Sequence, residues 1–389
     1  MDSPPFATVP NDAADHIDPA GGWLLRYEEH DESGTATGRG ASIVGVEFAP
    51  RHYADLAHVK LNQPLTIPLN WRHARILQSN IPGFDVESVA DGQMTVESPF
   101  SVRTLGLVPG GWLPAGLALR ANMTVLLDRC TISELAGRFR DGRKTKPADQ
   151  DFLDLFAGQR VRINPLLFAL EGNTGQAPTP ELVVQQLEEA RARILAALPD
   201  AELVPAGTDG LAGILGLLQD TQAGMARANE FLRRLAPRLN VPVGVARRSD
   251  MRDLVLATAT DCGLRRDSLV VVAALSAVAV PNGKSPAKRL LKWKTGYSER
   301  DAYNALVDLR ALELLIGMFA LFPRERLMLC TGDKDLALFW AGIRASEMVW
   351  RDGRLHCTLS PCEALLPSVT ERNGHRFAKG PAPGAPRDT

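Results

Sequence analysis

The segment from Arg326 to Trp340, RLMLCTGDKDLALFW, restricts the fold more than any other part of the chain. Leu327 to Cys330 is an apolar run of strand length, Thr331 and Gly332 break it, and an apolar-periodic helix starts at Leu336. The segment therefore reads as strand, tight turn and helix. Its turn carries two carboxylates, Asp333 and Asp335. Open α/β sheets place their chemistry at the carboxyl ends of strands, beside helix N-termini. Acids elsewhere in the same setting become the residues to look for.

From Asn122 onward, strand and helix patterns alternate, which predicts an α/β domain with crossover helices. MTVLLD, Met123 to Asp128, is an apolar strand that stops at an acid, and Thr131 with Glu134 forms a capping-box pattern for a helix starting near Ile132. RVRINPLLFALEGN reads as a short strand, with Asn164 as N-cap, Pro165 as the first helical residue and Gly172 as the stop. Glu171 lies four residues after Leu167 on that helix. Thr179 and Pro180 start a longer helix, Glu181 to Leu198, and the stretch from about 200 to 298 is mostly helical, with helices expected at Leu211–Leu235, Met251–Ala259 and Leu269–Val280. The helix Glu299 to Leu321 leads into the opening strand. Positions 308, 312, 315 and 319 form one of its faces, and three of them are Leu312, Leu315 and Phe319. Asp308 thus sits on a core-facing stripe, where an unpaired charge is costly.

The region before Leu119 has a different pattern. GGWLLRYEEH, GASIVGVEF, PLTIPLNW, GQMTVESPF and SVRTLGLV are short β-branched or aromatic runs between Gly, Pro, Asn and Asp, with a helix near Arg51 to His58. The expected organisation is a flexible lead-in over 1–20 and a β-rich domain of undetermined role over 21–119. An α/β domain with its helical insertion would follow over 120–366, and a Pro/Gly-rich disordered tail over 367–389.

Composition excludes several classes. At 389 residues the chain can bury a full core, and its 45% hydrophobic and 23% charged content is ordinary for a globular protein. The longest uncharged apolar stretch, Ser268 to Gly283, is 16 residues and contains Pro281, short of the roughly 20 that span a bilayer, so it reads as a buried helix. The acidic, proline-broken start is unlike a signal peptide, and a cytoplasmic protein without a membrane partner is expected. Five scattered cysteines with no CxxC pair predict reduced thiols. A net charge of -1 makes any nucleic-acid footprint local.

Acids gathered at strand ends repel one another unless a hard cation lies between them. Mg2+ or Mn2+ takes oxygen ligands, often one or two carboxylates completed by substrate phosphate, which is the chemistry of phosphodiester hydrolysis. The order TVLLDRCTISEL, VRINPLLFALEGN, YNALVDLRALELL, LMLCTGDKDLALFW resembles the PIN (PilT N-terminal) domain nucleases over roughly Met123 to Val349. The resemblance implies a three-layer α/β/α fold with a mainly parallel sheet and a Mg2+ or Mn2+ site. Asp128 would be the first-strand acid, Glu171 the second, Asp308 the helical third, and Asp333 or Asp335 the last. It also implies a nuclease, with RNA favoured over DNA as the partner. Two departures stand out. The gap between Glu171 and Asp308 requires the helical insertion, and Asp267 competes with Asp308 as the third acid.

Two basic runs adjoin these elements: Arg138, Arg140, Arg143 and Lys144 in the first, and Lys288, Arg289, Lys292 and Lys294 with Trp293 and Tyr297 interleaved in the second. Both are expected to bind nucleic acid, the two aromatics by stacking on bases. Taken singly, each feature also has a structural reading. Asp128 or Asp333 would serve as an N-cap, Glu171 or Asp308 as a core ion pair, and the basic runs as solvated surface. Cys130 and Cys330 read as small buried residues rather than nucleophiles. The alternative function is an inactive PIN-like scaffold that binds RNA or a protein. HAD- or TOPRIM-type phosphoryl transfer is less favoured: the first needs an Asp where Cys130 stands, and the second a first-strand Glu where Asp128 stands. The oligomeric state stays open, a homodimer included.

Overall fold

The computed structural model describes residues 23–367 apart from 121, 173, 206 and 282. The expectations for the lead-in and for the tail beyond 367 lie outside the described residues. The chain is a mixed α/β protein. It begins with β1 (Trp23–His30), β2 (Ala36–Phe48), α1 (Tyr53–His58), β3 (Leu65–Ser79) and β4 (Val89–Ser98). These strands form an antiparallel sheet in the order β1-β2-β3-β4. Alternation sets its inner face: Leu65, Ile67, Leu69 and Trp71 of β3 are all buried, two residues apart. Gly92 of β4 pairs with Trp71, and a Cβ there would lie 2.2 Å from the indole ring, so only glycine fits.

Next come β5 (Leu105–Val108), β6 (Gly111–Pro114), α2 (Ala115–Ala118), β7 (Thr124–Leu127), α3 (Arg129–Arg138), β8 (Phe139–Arg140) and β9 (Arg143–Lys144). A short 3-10 helix, Phe152–Phe156, leads to β10 (Arg162–Asn164), α4 (Leu166–Glu171), α5 (Pro180–Ala197) and β11 (Glu202–Leu203). The following stretch is mostly helical: α6 (Gly207–Leu239), α7 (Arg248–Asp261), α8 (Leu269–Ala279) and α9 (Pro286–Leu291). The chain then passes through α10 (Glu299–Leu321), β12 (Leu327–Thr331), α11 (Lys334–Ile343) and a hairpin of β13 (Ala345–Arg351) and β14 (Arg354–Leu359). All residues of α8 except Leu275 are buried, and no helix among the described residues is long and apolar enough to cross a membrane.

The second sheet runs β11-β10-β7-β12-β5-β6. Strands β11, β10, β7 and β12 are mutually parallel, while β5 is antiparallel to β12 and β6 to β5. From β7 the chain builds outward through β10 and β11, then returns to place β12 on the other side of β7. That reversal between β7 and β12 is a topological switch point, where crossover loops part and leave a crevice at the carboxyl ends of the strands. Asp128 follows β7 and Asp333 follows β12.

The sequence reading grouped residues 105–119 with the amino-terminal sheet, yet β5 and β6 pair into the second sheet against β12. Their short apolar runs match either sheet, and only the partner strand decides between them. The two sheets share one contiguous apolar core. Polar ties also join them. Lys334 Nζ donates to the carbonyls of Ala57 (3.1 Å) and Val59 (2.6 Å), and Arg120 and Arg326 both pair with Glu47, at 2.8 and 3.2 Å.

Candidate functional site

Asp128 is the N-cap of α3, with its Oδ1 accepting from the Thr131 N–H at 2.6 Å. The capping-box pattern had pointed to Thr131 with a helix from Ile132. The helix instead starts at Arg129, because the acid leaving β7 reaches the open N–H first, and the Thr131 hydroxyl donates to the Cys330 carbonyl at 3.1 Å. Asp333 caps α11 in the same way, its Oδ1 accepting from the N–H groups of Asp335 (2.8 Å) and Leu336 (3.1 Å). Thr331 sits between these acids. Its hydroxyl accepts from the Asp333 N–H at 3.0 Å and donates to the Asp128 carboxylate. Pattern reading passed over Thr331, which resembled an ordinary turn residue.

Asp128, Glu171 and Asp308 line one pocket, walled on its apolar side by Leu167, Leu170, Leu314 and Leu336. They arrive there from β7, the last residue of α4 and the middle of α10. Gly172, at φ 69°, ends α4 so that Glu171 faces the crevice instead of continuing the helix. Asp308 keeps 29% of its side chain accessible, yet protein encloses its carboxyl on most sides. Burial is the main cause of the rise of its pKa to about 7, opposed by Lys292 and reinforced by Asp333, Glu171 and Asp128. The Lys292 Nζ lies 3.7 Å away and is more than half exposed, and such a pair contributes about 0–1 kcal/mol. That is too little to offset desolvation together with three neighbouring acids. Burial likewise raises Asp128 and Glu171. The next contribution to Glu171 is repulsion from Asp128, which the Arg129 charge opposes. Cys130 is exposed rather than buried as expected, yet partial desolvation of its thiol and then the same four acids push it up to about 11, which leaves it a poor nucleophile.

Asp335 faces away from this group. The Arg289 guanidinium grips it through Nε at 2.8 Å to both oxygens and through Nη2 at 2.5 Å. Asp267 is held by Arg265 at 2.5 Å and is not part of the acid pocket.

The basic runs fare differently residue by residue. The Arg138 side chain is only 4% accessible; it binds Asp154 and the Asp149 carbonyl, and Lys144 pairs with Asp154 at 2.7 Å. Those two cations hold the loop together, while Arg140 and Arg143 are exposed. In the second run Trp293 is 7% exposed and the Tyr297 hydroxyl donates to the Leu291 carbonyl at 2.8 Å. The indole is thus part of the core and the phenol is tied back, which corrects their expected role as stacking platforms. Their spacing among lysines resembled a binding ribbon because α9 is short and turns its apolar side inward. Lys294 pairs with Asp301 at 2.8 Å, and Lys288 Nζ donates to the Val241 carbonyl at 3.4 Å.

Among the described residues, no three His, Cys, Asp or Glu side chains stand close enough together to hold a metal ion as placed. The donor oxygens are those a hard cation takes, three mutually repelling carboxylates, although Lys292 and Arg129 act on their charges and the buried Arg310 lines the same pocket. The chain matches no protein-family model, no curated protein and no solved structure.

Proposed function

We propose that this protein is a metal-dependent phosphodiesterase of the nuclease type, with a PIN-like three-layer domain and with RNA favoured over DNA. The observation that carries the reading is the convergence of Asp128, Glu171 and Asp308 on one pocket at the switch point, with Asp333 acting on the same charges. Asp128, Glu171, Asp308 and Asp333 would hold Mg2+ or Mn2+. Bound there, the ion supplies Lewis acidity, making water acidic enough to attack at neutral pH and offsetting phosphate charge. The chain's own part is to keep the acids in place through the caps of α3 and α11 and the Thr331 bridge. The leucine wall limits water to the open side. Lys292 screens Asp308 until a cation arrives.

Incubating the protein with labelled single- and double-stranded RNA and DNA, with Mn2+ or with chelator, tests the activity; cleavage should require the ion. Asp308→Asn should abolish cleavage and leave the fold intact, and unchanged activity in that variant rules the assignment out. Calorimetric titration of Mn2+ into the wild type and into Asp128→Ala separates this reading from an inactive scaffold, which would show no difference between the two.

A further inference from the structure

Arg129 belongs to neither basic run, yet its charge acts directly on Glu171 of the acid pocket. Its guanidinium carbon lies 3.9 Å from the centroid of the Phe168 ring. Nη2 donates to the Phe168 carbonyl at 3.4 Å and to Oε1 of Gln186, a residue 7% exposed. Three elements therefore fix one side chain: α3 carries it, α4 supplies the ring and carbonyl, and α5 supplies the amide. Arg193, over the same ring at 5.8 Å, is already paired with Glu189 at 2.6 Å. Arg129 forms no ion pair among the described residues, although the Glu171 and Glu189 charges act on it, and its Nη1 has no hydrogen-bond partner among them.

A guanidinium held against an aromatic face loses little freedom on binding, and its remaining N–H groups suit a phosphate oxygen. Arg129 immediately follows Asp128, so its position relative to that acid is set by the first turn of α3. We propose that Arg129 is a phosphodiester-binding residue. Its Nε is buried and its Nη2 is engaged, so Nη1 would take a non-bridging oxygen of the substrate strand beside Glu171. The proposal rests on the nuclease reading and adds a binding subsite to it.

The test uses the Asp308→Asn protein, which should bind without cutting, and a labelled single-stranded RNA of about twelve nucleotides. Affinity is measured by fluorescence anisotropy across a salt series with Mg2+ present. Adding Arg129→Gln should weaken binding about tenfold and lower the salt slope by about 0.7, the loss of one phosphate contact. Arg129→Lys should restore the slope but only part of the affinity, since an ammonium is not held in place by the Phe168 ring and Gln186 as the guanidinium is. Replacing phosphates one at a time by neutral methylphosphonates should reveal one position at which Arg129→Gln has no further effect, a result that packing alone would not produce. If the parent binds RNA and the slope is unchanged by Arg129→Gln, this proposal is overturned while the nuclease reading stands. If the wild type neither binds nor cleaves RNA or DNA, both fall.

Discussion

Asp308 shows how one side chain can be both a cost and a function. Its carboxyl titrates at about 7 instead of the ordinary 3.8, so between those values the folded protein holds a proton that the unfolded chain releases. Stability therefore falls as pH rises through that window, and the cost is fully present above pH 7. In chelator, Asp308→Asn should stabilise the protein at pH 8 by on the order of 2 kcal/mol and change little at pH 4. Thermal unfolding at the two pH values checks this; equal effects at both would mean that the carboxyl is not confined as described. The identity of this residue was legible in the sequence, because an acid on a stripe with Leu312, Leu315 and Phe319 is an anomaly visible in the periodicity. The opposing charge of Lys292 was not, since the contact depends on α9 folding back across α10.

At the scale of elements, strand-acid-helix units could be read directly, and so could helices α5 to α8 and α10; α9 was hidden in a stretch that reads as a basic run. Less legible was what each acid does with its oxygens. Thr131 and Glu134 fit a capping pattern as well as Asp128 does, and only the exit direction of β7 decides between them. The GDKD turn posed the same ambiguity, and the structure separates its two acids by partner: Asp333 caps α11 and acts on Asp308, while Asp335 is gripped by Arg289. Asp335→Ala should therefore keep metal-dependent cleavage within a few-fold of wild type. Asp333→Ala should abolish cleavage and also cost about 1 kcal/mol through loss of the α11 cap. Urea unfolding and cleavage assays on the pair read both effects, and a reversal of the two activities would exchange the roles assigned to these acids.

Across the whole molecule, the chain order suggested a β-rich unit followed by an α/β unit, because the pattern changes near residue 119. Pairing across the sequence overrides that boundary. β5 and β6 add to the second sheet, Trp112 of β6 donates to the His52 carbonyl at 3.0 Å, and Trp340 of α11 donates back to the carbonyls of Val108 and Gly111. Lys334, the first residue of α11 and the neighbour of Asp333, grips the carbonyls at the end of α1. The first sheet therefore buttresses the acid turn rather than hanging from it, and the shared core leaves no apolar seam along which the two could part. Residues 23–367 should accordingly unfold in a single transition, with equal calorimetric and van't Hoff enthalpies. Lys334→Met should lower the transition midpoint without splitting it, since it removes the tie at α1 but leaves the core whole. Scanning calorimetry reads both outcomes. Two resolved transitions in the wild type would show that the first sheet folds as an independent unit and that its grip on the acid turn is incidental.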